Sequence, residues 1–490
     1  MIIDVINYLL LGIYLFLLVE FVLNLFQQNH YHFDVFKSIF LKYYFKSFNL
    51  IIGILYIFNR YLIIKISIIL LFLILILFRK KRIIKLKYTK RIKRLVIFIV
   101  ILNFSLYWLR GYLVVVEYFI ILLGILLMTP IEWLINKHYY KEAKKKLERI
   151  DLLKIAITGS YGKTSTKQIL YEILKNDFLC VVSPLSYNTV MGLSLFVNND
   201  LKKFHKIGIF EYGASRKKDI RKLNKLVKAD YGVITEIGPQ HLKTFKSIEN
   251  IINEKMSLQN LVKGKIFVNY DNEYIRNSVI ESDNVVKVGM GENVEFRAQN
   301  IRYNQFGVKF QLVSRKEIYE IESELLGKHQ VTNIMLAVAV SEYLGVKKEV
   351  IEESIKGIKS DKNRLCLKKI NSHLVLDDSF NSNIKGFRNA LEVLGMYEKY
   401  RVLITPGIVE GGKKEEIINY ELNNDIAKNC DFVILIRNKA SEYIKKGLDD
   451  IQYNSYIEVD SFIDGFNKYQ EINNDKIVLI ENDISDLYKI

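Results

Sequence analysis

Proline is scarce in this chain, four in 490 residues, and cysteine is scarcer still, with three. Cys180, Cys366 and Cys430 stand far apart with no C-x-x-C spacing, which argues against a disulfide framework or a zinc ribbon and fits a reduced compartment. The N-terminus lacks the basic opening and small-residue cleavage site of a signal peptide, so its apolar run reads as a retained anchor. Internal repeats and low-complexity linkers are missing, as are a Ser-His-Asp grouping and a cysteine nucleophile, so covalent catalysis on a side chain is not expected. Acid is missing between Arg79 and Arg94, where ten Lys or Arg stand between apolar runs.

What is present divides unevenly. The first third is dominated by Ile, Leu, Phe and Tyr, whereas the rest has the mixed charge of a soluble α/β protein. The formal net charge is +18, from 71 Lys and Arg against 53 Asp and Glu. Its placement next to apolar runs points to an anionic membrane surface and away from nucleic acid. Apolar runs at Val5 to Phe26, Phe48 to Asn59, Tyr61 to Phe78, Leu95 to Leu109 and Tyr112 to Leu134 predict about five segments. Asn59-Arg60 and Arg110-Gly111 would be outer turns, and the basic stretches Lys37 to Lys46, Arg79 to Arg94 and Lys137 to Arg149 would face the cytoplasm. Phe48 to Asn59 is too short to cross alone and reads as a re-entrant segment.

The expected architecture is multi-domain. A helical membrane domain (1–135) leads through a basic linker helix (136–150) to a central P-loop α/β domain (151–360) and a C-terminal Rossmann-like α/β domain (361–490). The last two rest on short β-rich runs that alternate with helical ones, as in a parallel sheet with crossover helices. Three successive strands are expected across 294–324, and a helix from Val331 to Leu344.

The chemistry begins at "ITGSYGKTSTK". A strand runs into Thr158-Gly159-Ser160-Tyr161-Gly162-Lys163-Thr164, and a helix begins near Ser165. Such glycines turn backbone N–H groups around a phosphate, the lysine reaches the β and γ oxygens of ATP, and the Thr164 hydroxyl suits Mg²⁺. The spacing departs from G-x-x-x-x-G-K-[ST], since Ile157 stands where the first glycine would be. Glu211 closes the strand in "FEYGAS" beside this loop. Alone it would read as a solvated strand end, but in register with the loop it reads as a Mg²⁺ ligand. His241, after a strand end and a Gly-Pro turn, lies within reach of a second metal, although a lone histidine is more often structural.

Together these motifs resemble the Mur ligase family, the ATP-dependent amide-forming ligases of peptidoglycan precursor synthesis, and most closely its D-alanyl-D-alanine-adding branch. The resemblance covers roughly 151–490. It implies ATP and Mg²⁺ as cofactors, with Thr158, Gly159, Ser160, Gly162, Lys163, Thr164 and Ser165 on the nucleotide. Lys163, Glu211, His241 and Lys255 would form the catalytic set, and Thr164, Glu211, His241 and a carbamylated Lys255 would hold metal. Carbamylation turns a lysine into an anionic ligand; unmodified, Lys255 would be an ordinary surface lysine. His329 and Asn333 would meet the base, Arg364 phosphate, Asp378 the ribose and Asn381 the nucleotide. Asn188 and Thr189 would face the acceptor, unless they form a plain Ser/Asn turn.

The resemblance implies attack of a carboxylate on the γ-phosphate and capture of the acyl phosphate by an amine. Membrane helices stand in place of the family's UDP-binding domain. A multi-pass protein of a bacterial-type cell membrane is therefore expected, with cytoplasmic catalytic domains and a lipid-linked glycopeptide or envelope polymer as acceptor for an amino-acid or peptide amine. The alternatives are a poly-γ-glutamate-type polymer ligase and a non-catalytic ATP-binding scaffold. A lipid II amidating enzyme lacks support without its zinc-binding cysteines, and folate polyglutamylation sits poorly with membrane spans.

Overall fold

The computed structural model describes residues 2–28, 31, 61–77, 86–105, 113–184, 187–360, 364–370, 373–379, 383–409 and 414–482. The expected crossing Phe48 to Asn59, both expected outer turns and Asn381 lie outside these. The chain forms two compact units, drawn from Met1–Lys137 and His138–Asp483.

The first unit is helical, with α1 (Ile2–Gln28), α2 (Leu62–Leu77), α3 (Lys90–Ser105) and the first part of α4 (Leu113–Arg149). Leu18, Val22 and Phe26 of α1 pack with Ile92, Leu95 and Ile99 of α3 and with Ile121 and Ile125 of α4. Leu10 and Leu11 of α1 meet Ile68 of α2. Arg94 donates to both carboxylate oxygens of Glu132, at 2.8 and 2.9 Å, a forked geometry that holds a buried acid beside its cation. Two expectations change here. Lys90 to Arg94, read as loop, are the first turn of α3. The expected crossing at Tyr112 to Leu134 and the basic linker helix are one continuous helix that contains Pro130. Of these helices, Leu9–Gln28 and Phe119–Arg149 are long and apolar enough to cross a bilayer.

The second unit holds two sheets. The nine-stranded sheet has the order β2-β3-β1-β4-β5-β6-β7-β8-β9, with β1 at Leu153–Thr158, β2 at Cys180–Val182, β3 at Ile207–Glu211, β4 at Tyr231–Ile234, β5 at Ile266–Asn269 and β6 at Val285–Gly289. Its pairing is parallel from β2 to β7, and antiparallel across β7 (Phe296–Asn304), β8 (Gly307–Val313) and β9 (Ile318–Ser323). The parallel strands are buried on both faces, which is why they read as continuous apolar runs. One face is covered by α5 (Lys163–Leu174) and by helix His329–Tyr343. The other is covered by α6 (Val190–Asn199), α7 (Asp219–Val227) and the region around Ile251.

The second sheet has the order β10-β11-β15-β12-β13-β14, with β12 at Tyr400–Thr405, β13 at Phe432–Ile436, β14 at Tyr456–Val459 and β15 at Lys476–Glu481, and is parallel except for β10 (Cys366–Ile370) against β11 (His373–Asp378). Strand β1 lies between β3 and β4, so the chain leaves its carboxyl end in the crevice where crossovers diverge, the usual place for a ligand in such sheets.

Candidate functional site

The phosphate loop folds as its glycines require. Gly159 has φ 150° and Gly162 φ 79°, conformations that L side chains rarely adopt. A Cβ would meet Thr235 Oγ1 at 2.1 Å in the first case and Asn333 Oδ1 at 2.5 Å in the second. Thr158 donates its hydroxyl to the Tyr212 carbonyl at 3.0 Å, and Ser160 to that of Gly238, also at 3.0 Å. Lys163 opens α5 and donates to the carbonyls of Gly159 and Ser160, both at 2.8 Å. Burial lowers its amine to about 8 against the pull of Glu211, and the charges of Arg364 and Lys167 add to the lowering.

Glu211 is the centre of a buried polar cluster. Parallel pairing sets it beside Ile157 of β1. Its Oε2 accepts from Thr164 Oγ1 at 3.0 Å and from Lys167 Nζ at 2.9 Å, and its Oε1 from Asn188 Nδ2 at 3.2 Å. Burial alone would raise this carboxyl, but the charges of Lys167 and Lys163 outweigh it and hold the group below the usual carboxylate range. Arg364 reaches the same threonine, Nη2 to Thr164 Oγ1 at 3.4 Å. Oxygen donors around a strand-end carboxylate suit a hard divalent cation such as Mg²⁺.

Lys255 lies in the last turn of α9 (Ile248–Met256) and is buried, unlike an ordinary surface lysine. Its Nζ lies 3.4 Å from the Ala214 carbonyl. Burial and then the repulsion of Lys163 push its amine well below its ordinary value, while Glu254, Asp219 and Glu211 oppose this. The neighbouring Glu254 accepts from the backbone N–H groups of Lys218 at 2.6 Å and Ile220 at 2.8 Å, which pins α9 to the start of α7.

His241 is exposed and precedes the four-residue helix α8 (Leu242–Phe245) in the left-handed conformation, φ 54°. Its carbonyl accepts from the Thr244 hydroxyl at 3.0 Å. Thr244 donates its hydroxyl to the Ser215 carbonyl at 2.5 Å, one residue beyond Ala214. Among the described residues no three His, Cys, Asp or Glu side chains converge as a metal cage. A site here would draw on Thr164, Glu211 and a modified Lys255 as well as on the histidine.

Other expected residues divide. Asn188 joins the Glu211 cluster, whereas Thr189 caps α6 by accepting from Gly192 N at 3.1 Å. Asn333 is buried beneath the phosphate loop, accepting from Thr166 Oγ1 and donating to Gln330 Oε1, each at 3.1 Å. Counting Glu273–Arg276 as α10, His329 begins α11 (His329–Tyr343), with its imidazole lowered by burial and by Arg364 while Glu236 and Asn389 oppose. Asp378 Oδ1 accepts from Leu365 N at 3.0 Å, and burial raises its carboxyl to about 6.

Four residues emerge only from the fold: Lys167, Glu254, Asn389 and Lys385. Asn389 Oδ1 accepts from Lys328 N at 2.8 Å, which fixes the entry to α11. Lys385 Nζ meets Glu236 Oε1 at 2.6 Å. Lys167 carried a signal in retrospect, since it stands one helical turn beyond Lys163 on α5.

Residues 157–341 match the family profile of the Mur ligase middle domain. The UDP-N-acetylmuramoyl-tripeptide--D-alanyl-D-alanine ligase of Buchnera aphidicola is 29% identical over 280 residues, 56% of this chain and 60% of that protein. The Bacillus subtilis ligase of the same name is 27% identical over 310 residues, 62% of this chain and 67% of that one. The chain thus spans about three fifths to two thirds of the length of these two relatives. The crystal structure of the MurF ligase of Thermotoga maritima in complex with ADP superposes with TM-score 0.63 at 23% identity, over 71% of this chain and 80% of that one. A pseudomurein peptide ligase type C from Methanothermus fervidus shares the fold at TM-score 0.53 and 19% identity, over 68% of this chain and 77% of that one. The phosphate loop and the strand-end carboxylate thus come together inside the matched segment, 157–341, which has the profile of a Mur ligase middle domain.

Proposed function

We propose that the protein is an ATP- and Mg²⁺-dependent ligase that joins a carboxyl group to an amine through an acyl phosphate. The observation that carries this reading is the convergence of Thr164, Lys167 and Asn188 on Glu211, with Lys163 and Lys255 electrostatically coupled to the same carboxylate. In this reading a substrate carboxylate oxygen attacks the γ-phosphorus and ADP departs. The amine then attacks the acyl carbon, phosphate leaves, and the amine's proton passes to solvent. Lys163 and Arg364 would supply the counter-charge that the transferring phosphoryl needs. Bound Mg²⁺ would neutralise phosphate oxygens, with Thr164 and Glu211 as ligands. A buried lysine with a lowered amine pKa is nucleophilic enough to take up CO₂, which supports carbamylation of Lys255.

The location and acceptor form the finer part of the proposal. The first unit would be a multi-pass anchor in a bacterial-type cell membrane, with the ligase unit cytoplasmic and the acceptor a lipid-linked glycopeptide or envelope polymer. Two helices long and apolar enough to cross a bilayer support the anchor. So do outward apolar side chains such as Phe104, 82% exposed, and Ile97, 60%. The second reading follows the matched D-alanyl-D-alanine ligases, named for a UDP-linked muramoyl tripeptide. Detergent-purified protein with ATP, candidate amines and either a UDP-linked or a lipid-linked acceptor separates them. ADP release and product mass on the lipid-linked substrate are expected. Turnover on the UDP-linked precursor alone refutes the finer part, and ATP binding without substrate-dependent ADP refutes the ligase.

A further inference from the structure

One surface of the second unit is basic and apolar at once. Leu179 and Phe204 are 56% and 58% exposed, with large apolar side chains turned to solvent. They sit close in the fold, because the Leu179 carbonyl accepts from Lys206 N at 2.8 Å. The Phe204 ring leans on His205, 4.5 Å between centroids. Lys202, Lys203 and Lys206 are exposed around it.

Lys146 approaches from α4, donating to the Asn198 carbonyl at 2.8 Å. Burial and the charge of Lys202 both lower its amine, a mark of crowded cations. The acids nearby offset this only weakly. Asp151 faces Lys206 at 3.9 Å while fully solvated, Glu142 is exposed and turned to Asn198, and Asp200 is exposed.

We propose that this surface seats on an anionic phospholipid layer, with Phe204 and Leu179 among the headgroups and Lys146, Lys202, Lys203 and Lys206 over the phosphates. Lysines whose acidic neighbours are themselves solvated suit a diffuse sheet of phosphate, whereas protein interfaces are depleted in lysine. Exposed aromatic and aliphatic side chains within a basic rim are the arrangement of an interfacial contact. Lys146 also belongs to Phe119–Arg149, one of the two stretches apolar and long enough to cross a bilayer. The inference rests on the membrane reading of the first unit.

The test uses the full chain in lipid nanodiscs, with its two tryptophans, Trp108 and Trp133, replaced by Phe. Phe204→Trp then reports on the patch and, in a separate protein, Leu126→Trp on the apolar stretch of α4. Emission at position 204 is expected to be quenched by brominated lipid in discs containing phosphatidylglycerol. The quenching should weaken in pure phosphatidylcholine and in the K202E/K203E/K206E variant. Quenching at 126 but none at 204 overturns the patch and leaves the anchor standing. No quenching at 126 overturns the anchor and the patch with it. Equal quenching at 204 in both lipids overturns the role of the anionic headgroup.

Discussion

The ammonium of Lys167 lies 2.9 Å from Oε2 of Glu211, and both side chains are almost wholly buried, at 1% and 2% exposure. A pair so removed from water is held by mutual neutralisation, and loss of one member strands the other. Lys167→Met is therefore expected to destabilise the protein by about 3–5 kcal/mol in denaturant unfolding. K167M/E211Q should recover part of that loss. A double variant as unstable as the sum of both single ones would show that the two residues act independently.

Glu211 also sets an acid limit. Its folded pKa lies below the unfolded one, so the stability it contributes is fully present above the unfolded value and is lost as pH falls through the folded value. Unfolding free energy should fall more steeply below about pH 4 in the native protein than in E211Q.

Much of this site was legible along the chain, for a reason visible in Lys163 and Thr164. A phosphate loop is contiguous, and its glycines announce their backbone conformations. Lys167 is different. In sequence it is one more lysine on a helix, and only the parallel pairing of β1 with β3 brings Glu211, 44 residues away, against it. Glu254 likewise gains meaning from the N–H groups of Lys218 and Ile220. Asn389, 61 residues from Lys328, and Lys385, 149 from Glu236, depend on contacts between the two sheet domains that no local pattern encodes. The alternation of strands and helices was readable because apolar period and length carry it. The short strands β2 (Cys180–Val182) and β14 (Tyr456–Val459) are too brief to show a period. Pro130 did not divide α4, because neighbouring turns carry the helix past the one missing N–H.

Lys163 contributes to stability with the same sign as Glu211, but in an alkaline window. Its folded value, about 8, lies below the ordinary one, so the amine loses its proton within the folded protein before it would in the unfolded chain. Between about pH 8 and 10 the unfolded state binds more protons, and this group makes stability rise with pH. Phosphate binding instead requires the charged form. The kcat/KM for ATP should fall above about pH 8, and in Lys163→Arg, which stays charged, that limb should move upward even if the rate is lower. An unchanged limb in the arginine variant would assign it to another group.

Lys385 and Glu236 form an exposed pair, the lysine side chain 67% accessible, so little stability is expected from it. Lys385→Ala should change unfolding free energy by less than about 1 kcal/mol. The pair nonetheless ties the helix Ile384–Gly395, from the C-terminal sheet domain, to the segment whose Glu236 carbonyl accepts from Ser160 N at 2.5 Å. A raised KM for ATP with intact stability is the expected split, and an unchanged KM would show that the contact does not hold the loop.

Lys255 offers the sharpest separation of chemistry from scaffold. Desolvation and then Lys163 lower the buried amine well below its ordinary value, which favours the uncharged form that adds to CO₂, and the carbamate so formed would carry the negative charge that Lys163 then attracts. Incubation with ¹³C-bicarbonate should give a protein-bound carbamate carbonyl signal in NMR that disappears in Lys255→Ala. Turnover of that variant should be largely lost and partly restored by a short carboxylate such as formate, which fits the vacated space and supplies the missing oxygens. Glu254→Ala retains Lys255 but frees α9 from the N–H groups of Lys218 and Ile220. It should weaken the carbamate signal and lower stability by about 1–3 kcal/mol through the stranded donors. A full carbamate signal in Glu254→Ala would show that α9 holds the lysine without that cap. A formate-insensitive Lys255→Ala would instead place the lysine's contribution in packing and not in an anionic ligand.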